Sequence, residues 1–275
     1  MALRRRERIR TLEVSDVELG CEGVRFMTVY SPALHGRGDA SVFVPQGAEA
    51  GASIPVVVLL HGVYGSHWAW FFKGAAHRTA GELIAAGRMR PMVLVAPSDG
   101  LEKDGSGYLP RRRRDVDGWV VHDLVEGLQK AFPCVDARSP LFIAGLSMGG
   151  YGALRLGARH ARLFSGIAAH SAITEISEMD RFTFEPFSTM GVALDELDVI
   201  ALMERHREFL PPLRFDCGSQ DPLLGGNRSF HEALDARGIP HAYSEPYGGH
   251  DWSYWSRQVK ASLLFFEEVL TGRDG

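Results

Sequence analysis

The apolar run Leu141-Phe142-Ile143-Ala144 stops at Gly145-Leu146-Ser147-Met148-Gly149-Gly150, and residues with helical spacing follow from Tyr151 to Leu156. A Gly-x-Ser-x-Gly set between a buried strand and a helix constrains the fold more than any other feature of this chain. The serine is turned outward on a tight, strained bend, so the positions two before and two after it must be nearly bare to avoid the neighbouring strands and the helix. Gly145 and Gly149 supply that bareness. The helix start adds unpaired amides and a partial positive charge beside Ser147, a setting that favours a negative oxygen. The flanking strand and helix separate this pattern from a glycine turn with an idle serine.

The rest of the chain is consistent with one such fold. At 275 residues it can bury one sizeable core, and a single α/β domain over residues 1–275 is expected. Hydrophobic residues at 45% and charged residues at 23% are ordinary for a globular protein, and a net charge of -4 gives no nucleic-acid footprint. Apolar stretches such as Val56 to Leu60 have strand length, too short to span a bilayer, so no membrane partner is expected. The basic start, Met1 to Arg10, has no apolar segment behind it and does not read as a secretory signal, which predicts a cytoplasmic protein. Cys21, Cys134 and Cys217 are widely spaced, with neither a disulfide framework nor a zinc pattern. Nothing calls for a metal or cofactor, and the composition is compatible with a homo-oligomer.

Alternating elements predict the architecture. Val24 to Tyr30 and Ser41 to Val44 read as early strands, joined by the Gly-rich stretch from His35 to Asp39. Ile54 to Leu60 and Pro91 to Ala96 are continuous apolar runs, as in strands covered on both faces. Further strands are predicted at Leu141 to Ala144, Gly166 to Ala169, Leu213 to Cys217 and Ala242 to Glu245. Helices are predicted at Arg78 to Ala86, Trp119 to Lys130, Leu194 to Phe209, Ser229 to Arg237 and Tyr254 to Leu270. This order implies a mostly parallel central sheet with helices on both faces. Two long connections, Ser98 to Asp117 and Ser171 to Ala193, follow strand ends, where such sheets keep their binding sites. The second, the 171–193 insertion, carries Met179, Phe182, Phe184, Phe187 and Met190, enough apolar surface to roof a pocket or simply to pack.

A serine hydroxyl needs a base within hydrogen-bond reach and a third group to orient that base. After a strand-to-helix serine the partners follow in the order acid, histidine. His250 lies in Tyr247-Gly248-Gly249-His250-Asp251-Trp252, between the last strand and the terminal helix, where two glycines free the loop to bring its ring over the turn. His160, His206, His231 and His241 fall on helices or at a strand start, and His170, just past a strand end, is a lesser candidate. Asp221 lies in the loop after the Leu213 to Cys217 strand and is preferred to Asp216, whose direction the pleat fixes. Asp251 suits a helix cap. Two amides are expected to face a developing oxyanion: Met148, next after the serine, and Val63, in the His61-Gly62-Val63-Tyr64-Gly65 turn. Beyond it, Tyr64, His67, Trp68, Trp70, Phe71 and Phe72 form an aromatic cluster of which one or two members face substrate; Tyr64, Trp68, Tyr151 and Trp252 are the predicted lining residues. The run Arg111 to Arg114 reads as a solvated loop, with attraction of an anionic group as its functional alternative.

With these residues in place, Leu59-Leu60-His61-Gly62, Gly145-Leu146-Ser147-Met148-Gly149-Gly150-Tyr151-Gly152-Ala153-Leu154, Cys217-Gly218-Ser219-Gln220-Asp221 and Gly248-Gly249-His250-Asp251-Trp252, the chain resembles the esterase D-like family of α/β-hydrolases from about Ile54 to its end. The resemblance is to the tributyrin-esterase type. It implies an α/β-hydrolase fold with a small loop-type cap and a serine carboxylesterase acting on small, short-chain acyl esters. Carried residue by residue, it gives Ser147 as nucleophile, Asp221 as acid, His250 as base, and the Val63 and Met148 amides as oxyanion donors. Three alternatives stay open: a thioesterase of S-formylglutathione hydrolase type, an acyltransferase to a sugar or alcohol, and a ligand-binding module without activity. S-formylglutathione hydrolases usually place an Asp before the last His and Ser-Tyr after it, whereas here Gly249 precedes His250 and Asp251 follows.

Overall fold

A computed structural model describes residues 9, 11–18, 20–101, 104–111, 113–179 and 192–272. Its centre is a nine-stranded sheet in the order β1-β2-β3-β5-β4-β8-β9-β10-β11. The strands are β1 (Leu12–Val14), β2 (Val24–Ser31), β3 (Gly36–Phe43), β4 (Val56–Leu60), β5 (Val93–Pro97), β8 (Leu141–Leu146), β9 (Phe164–His170), β10 (Leu213–Asp216) and β11 (Ala242–Ser244). From β5 to β11 all pairings are parallel, whereas β1, β2 and β3 join antiparallel, so the sheet is mixed.

The continuous apolar strands are explained by what covers them. In β4, Val56, Val58 and Leu60 enter one core while Val57 and Leu59 enter the other; β5 and β8 alternate in the same way. With side chains pointing to opposite faces at a period of two, both faces must be dry. One face packs on α4 (Leu124–Ala131), α5 (Met148–Arg159), α7 (Val199–Arg205) and α8 (Leu224–Ala236). The other packs on α1 (Ala69–Phe72), α2 (Ala76–Ala85) and the long α9 (Trp252–Thr271). The remaining elements are the short helices α3 (Val116–Gly118) and α6 (Ile176–Met179), and a hairpin of β6 (Pro110–Arg111) and β7 (Arg114–Asp115).

Several boundaries differ from expectation. The Gly36–Asp39 stretch is strand rather than loop, because Gly38 lies flat under the Trp119 indole; a Cβ there would stand 2.7 Å from the ring. Trp119–Asp123 is a π-turn between α3 and α4, which makes one interrupted helix of the region predicted as regular. The single helix expected over Leu194 to Phe209 is instead α7 flanked by two 3₁₀ turns, with Asp198 capping α7 through the amides of Ile200 and Ala201. α8 begins at Leu224, earlier than predicted, and runs through Gly225 and Gly226. The run Arg111 to Arg114 spans the small hairpin, and Arg114 Nη1 donates to the Gly100 carbonyl at 2.7 Å. Arg112 lies outside the described residues. Met179 is fully buried in the core rather than roofing a pocket, while Phe182, Phe184, Phe187 and Met190 lie outside the described residues.

Candidate active site

The carboxyl ends of β4, β8, β9, β10 and β11 lie side by side, and each feeds a loop at one edge of the sheet. Register sets the spacing: Leu60 pairs with Gly145, Leu146 with His170, and His170 with Asp216. The turn after β8 carries Ser147 at φ 54°, ψ -119°, a conformation a residue with a side chain adopts only under constraint. The neighbours show why glycine flanks it. A Cβ on Gly145 would meet the Gly149 carbonyl oxygen at 2.0 Å, and one on Gly149 would meet the Leu60 oxygen at 2.3 Å. Strain at Ser147 is held by backbone bonds: its amide donates to His170 O at 2.9 Å, and its carbonyl accepts from Tyr151 and Ile173.

Three side chains converge here. Ser147 Oγ lies 3.0 Å from His250 Nε2, and His250 Nδ1 lies 2.9 Å and 3.1 Å from the two oxygens of Asp221. Asp221 is buried; burial alone pushes its pKa up, but the hydrogen bonds from His250, the Leu223 amide and the Ser171 hydroxyl outweigh it and hold the carboxyl below its ordinary range. An ionised carboxylate accepts only, so Nδ1 carries the proton that points at Asp221 and Nε2 presents its lone pair to the serine hydroxyl. The loop carrying His250 is fixed from behind: the Gly248 oxygen accepts from Gln220, and Asp251 caps α9 through the Tyr254 amide at 3.0 Å. The Trp255 ring meets the imidazole edge to face, with centroids 5.0 Å apart.

The turn after β4 packs directly on the serine. A Cβ on Gly62 would stand 3.3 Å from Ser147 Cβ, and one on Gly105 would touch both Met148 Sδ and Val63 Cγ1, at 2.4 Å and 3.3 Å. Gly105 thus packs against both Met148 and Val63, the residues that follow Ser147 and Gly62. Beneath the turn, His61 is buried: burial lowers its pKa, and Asp99 and the Gly62 carbonyl, 2.8 Å from its Nδ1, only partly offset the desolvation. Tyr108 accepts from the His61 amide at 2.9 Å. These contacts hold the backbone of the turn beside Ser147.

A cleft of about 600 Å³ opens over Ser147 and His250. Tyr64, Trp68, Lys73, Leu223, Trp252 and Trp255 line it, together with Ile173 and Glu178. Tyr64, Trp68 and Trp252, expected from the sequence to face substrate, line this cleft. Tyr151 does not: it is fully buried on α5, and its hydroxyl donates to the Leu197 carbonyl at 2.7 Å. Four residues beyond the serine, the helix has turned its side chain into the core. Among the described arginines of the 111–114 run, none lines the cleft. Trp70 and Phe71 are core, leaving Tyr64 and Trp68 of that aromatic cluster on the pocket.

His170 is fully buried and does not reach the cleft. Its Nδ1 pairs with Asp216 at 2.9 Å and its Nε2 lies 3.1 Å from Ser262 Oγ; Asp216 also accepts from Tyr254 and pairs with Arg214. Two contributors escaped the sequence reading. Ser171, at φ 46°, donates to Asp221 and accepts from Trp255 Nε1 at 3.2 Å. Trp255 stands one turn after Trp252 on α9, and that spacing is the signal that could have found it.

Residues 31–266 match the family model Esterase, described as "Putative esterase". An acetyl esterase of Caldicellulosiruptor saccharolyticus is 28% identical, covering 79% of this chain and 85% of its own. A ferulic acid esterase structure superposes with a TM-score of 0.77 at 26% identity, covering 90% of this chain and 98% of that one. An S-formylglutathione hydrolase of Staphylococcus aureus shares the fold, with a TM-score of 0.72 at 19% identity over 93% and 99% of the two chains. A mixed sheet layered by helices on both faces and the match over 31–266 lead to one conclusion: the chain belongs to this Esterase family, and it is a carboxylic ester hydrolase of the α/β-hydrolase fold.

Proposed function

We propose that the chain hydrolyses small, short-chain acyl esters through an acyl-enzyme on Ser147. His250 takes the hydroxyl proton as the oxygen attacks the ester carbonyl, and Asp221 holds the ring and offsets its positive charge. The amides of Met148 and Val63 receive the oxyanion; Met148 opens α5, where the helix end adds favourable potential. The alkoxide leaves with the proton from His250. Water then enters, His250 takes its proton, and the acid is released as Ser147 regains its hydrogen. The observation that carries this reading is the unbroken line from Ser147 Oγ through His250 to buried Asp221, at 3.0 Å and 2.9 Å, on the floor of an open cleft.

The size of the acyl group is supported by the likeness to an acetyl esterase and by a cleft walled mostly by aromatic and aliphatic side chains. We read residues 1–275 as one domain in which Ile173 and Glu178, at the start of the 171–193 insertion, line the cleft, while 180–191 lie outside the described residues. Unpaired Cys21, Cys134 and Cys217 suit the reducing cytoplasm, and no described helix is long and apolar enough to cross a membrane. The test is Ser147→Ala assayed with p-nitrophenyl acetate: turnover falls by up to about a millionfold while the folded state is retained. Hydrolysis surviving at the parent rate rejects the reading.

A further inference from the structure

Outside the lining of the cleft, His231 and Asp235 stand one turn apart on α8, on the same face, and His241 precedes β11. The ligand atoms of these three side chains lie within 4.8 Å of one another. His231 Nδ1 is 2.7 Å from His241 Nε2; Asp235 oxygens lie 3.5 Å from His231 Nε2 and 3.9 Å from His241 Nε2.

The surroundings prepare both rings. His241 Nδ1 donates to the Ile239 carbonyl at 2.8 Å, so its Nε2 carries a lone pair directed at His231. That is the arrangement by which a backbone carbonyl fixes the tautomer and direction of a metal-binding histidine. Phe215 stacks on the His241 ring with centroids 5.5 Å apart, and Tyr243 stacks on His231 at 4.7 Å. His241 is a nearly buried anchor, whereas Asp235 is 64% exposed and leaves the outer side open to water. The cluster is rich in ligand atoms: a carboxylate and the His241 lone pair both face the His231 ring.

We propose that His231, Asp235 and His241 bind one divalent transition-metal cation, with zinc the best match, at a site separate from the esterase cleft. Two imidazoles and one carboxylate suit zinc rather than calcium or magnesium, which prefer all-oxygen shells. With metal–nitrogen bonds near 2.0 Å, a tetrahedral site needs the two ring nitrogens to spread to about 3.3 Å, a small rotation of the half-exposed His231. Water completes the shell. The ion clamps α8, which follows the Asp221 loop, to β11, which leads to the His250 loop.

The experiment titrates tag-free, chelator-treated protein with zinc by calorimetry and with cobalt by visible absorption. One equivalent binds, cobalt gives the intense bands of a tetrahedral nitrogen–oxygen site, and zinc raises the melting temperature. His231→Gln and Asp235→Asn each weaken binding by at least about tenfold. His250→Gln leaves it unchanged, which separates this site from the cleft. Absence of saturable binding overturns the proposal. So does binding that is unaltered in a His231→Gln/His241→Gln double variant, or binding lost only in His250→Gln.

Discussion

Asp216 and Asp221 leave the same strand, and their surroundings give them different work. Asp216 is fully buried between His170, Arg214 and Tyr254, and no cleft reaches it. Burial pushes its pKa up, but His170 and Arg214 overcome this and hold it low, so its charge belongs to the folded state. Its contribution to stability is therefore complete above about pH 4 and is lost as pH falls through the lower folded value. Asp216→Asn should cost about 3–5 kcal/mol, since it leaves the largely buried Arg214 guanidinium without its carboxylate; thermal unfolding measures this. Asp221→Asn should instead cut turnover about ten-thousandfold. Steady-state kinetics beside melting curves separates the two, and a collapse of activity in a well-folded Asp216→Asn protein would reverse the assignment. Asp221 could be singled out in the sequence because a loop after a strand can present a carboxylate to a histidine, and it lies 2.9 Å from His250 Nδ1. The second serine–histidine–aspartate set, Ser262, His170 and Asp216, was hidden because long-range burial defines it.

At the scale of elements, glycines mark which contacts the fold demands. Gly149 sits against the Leu60 and His61 carbonyls, where a methyl group would stand at 2.3–2.5 Å. Gly149→Ala forces the α5–β4 contact apart, with an expected loss of about 1–3 kcal/mol in denaturant unfolding, together with a fall in kcat as the strand-to-helix turn shifts. Gly81, inside α2, has no atom within 4 Å of a built Cβ. Gly81→Ala should therefore stabilise by about 0.5–1 kcal/mol through helix propensity alone, raising the melting temperature by a few degrees. A lower melting temperature for Gly81→Ala would show that α2 needs that glycine for packing. The β4, β5 and β8 runs were legible because strands dry on both faces carry no polar punctuation. The first half of β3 was not, since it opens Gly36-Arg37-Gly38-Asp39, and Gly38 lies against the Trp119 ring. Tyr151 was misplaced for a related reason: a helix covered on both sides gives no polar face from which to read its phase.

For the whole molecule, the parallel half of the sheet is what makes the site. Five strand ends at one edge deliver the Gly62–Val63 turn, Ser147, Ser171, Asp221 and His250 to the same place, although up to 103 residues separate a bonded pair. The antiparallel half serves the core. Trp252 packs edge to face on Trp70 and Trp255 and lines the cleft, so Trp252→Ala should raise KM for p-nitrophenyl esters more than it lowers kcat; a kcat loss alone would place it outside substrate contact. The most direct measurement of the central claim is covalent labelling with a fluorophosphonate, followed by peptide mass mapping. The account predicts one equivalent of label on Ser147, formed far more slowly in His250→Gln. Label on another residue, or ester hydrolysis that continues after Ser147 is fully labelled, would contradict it.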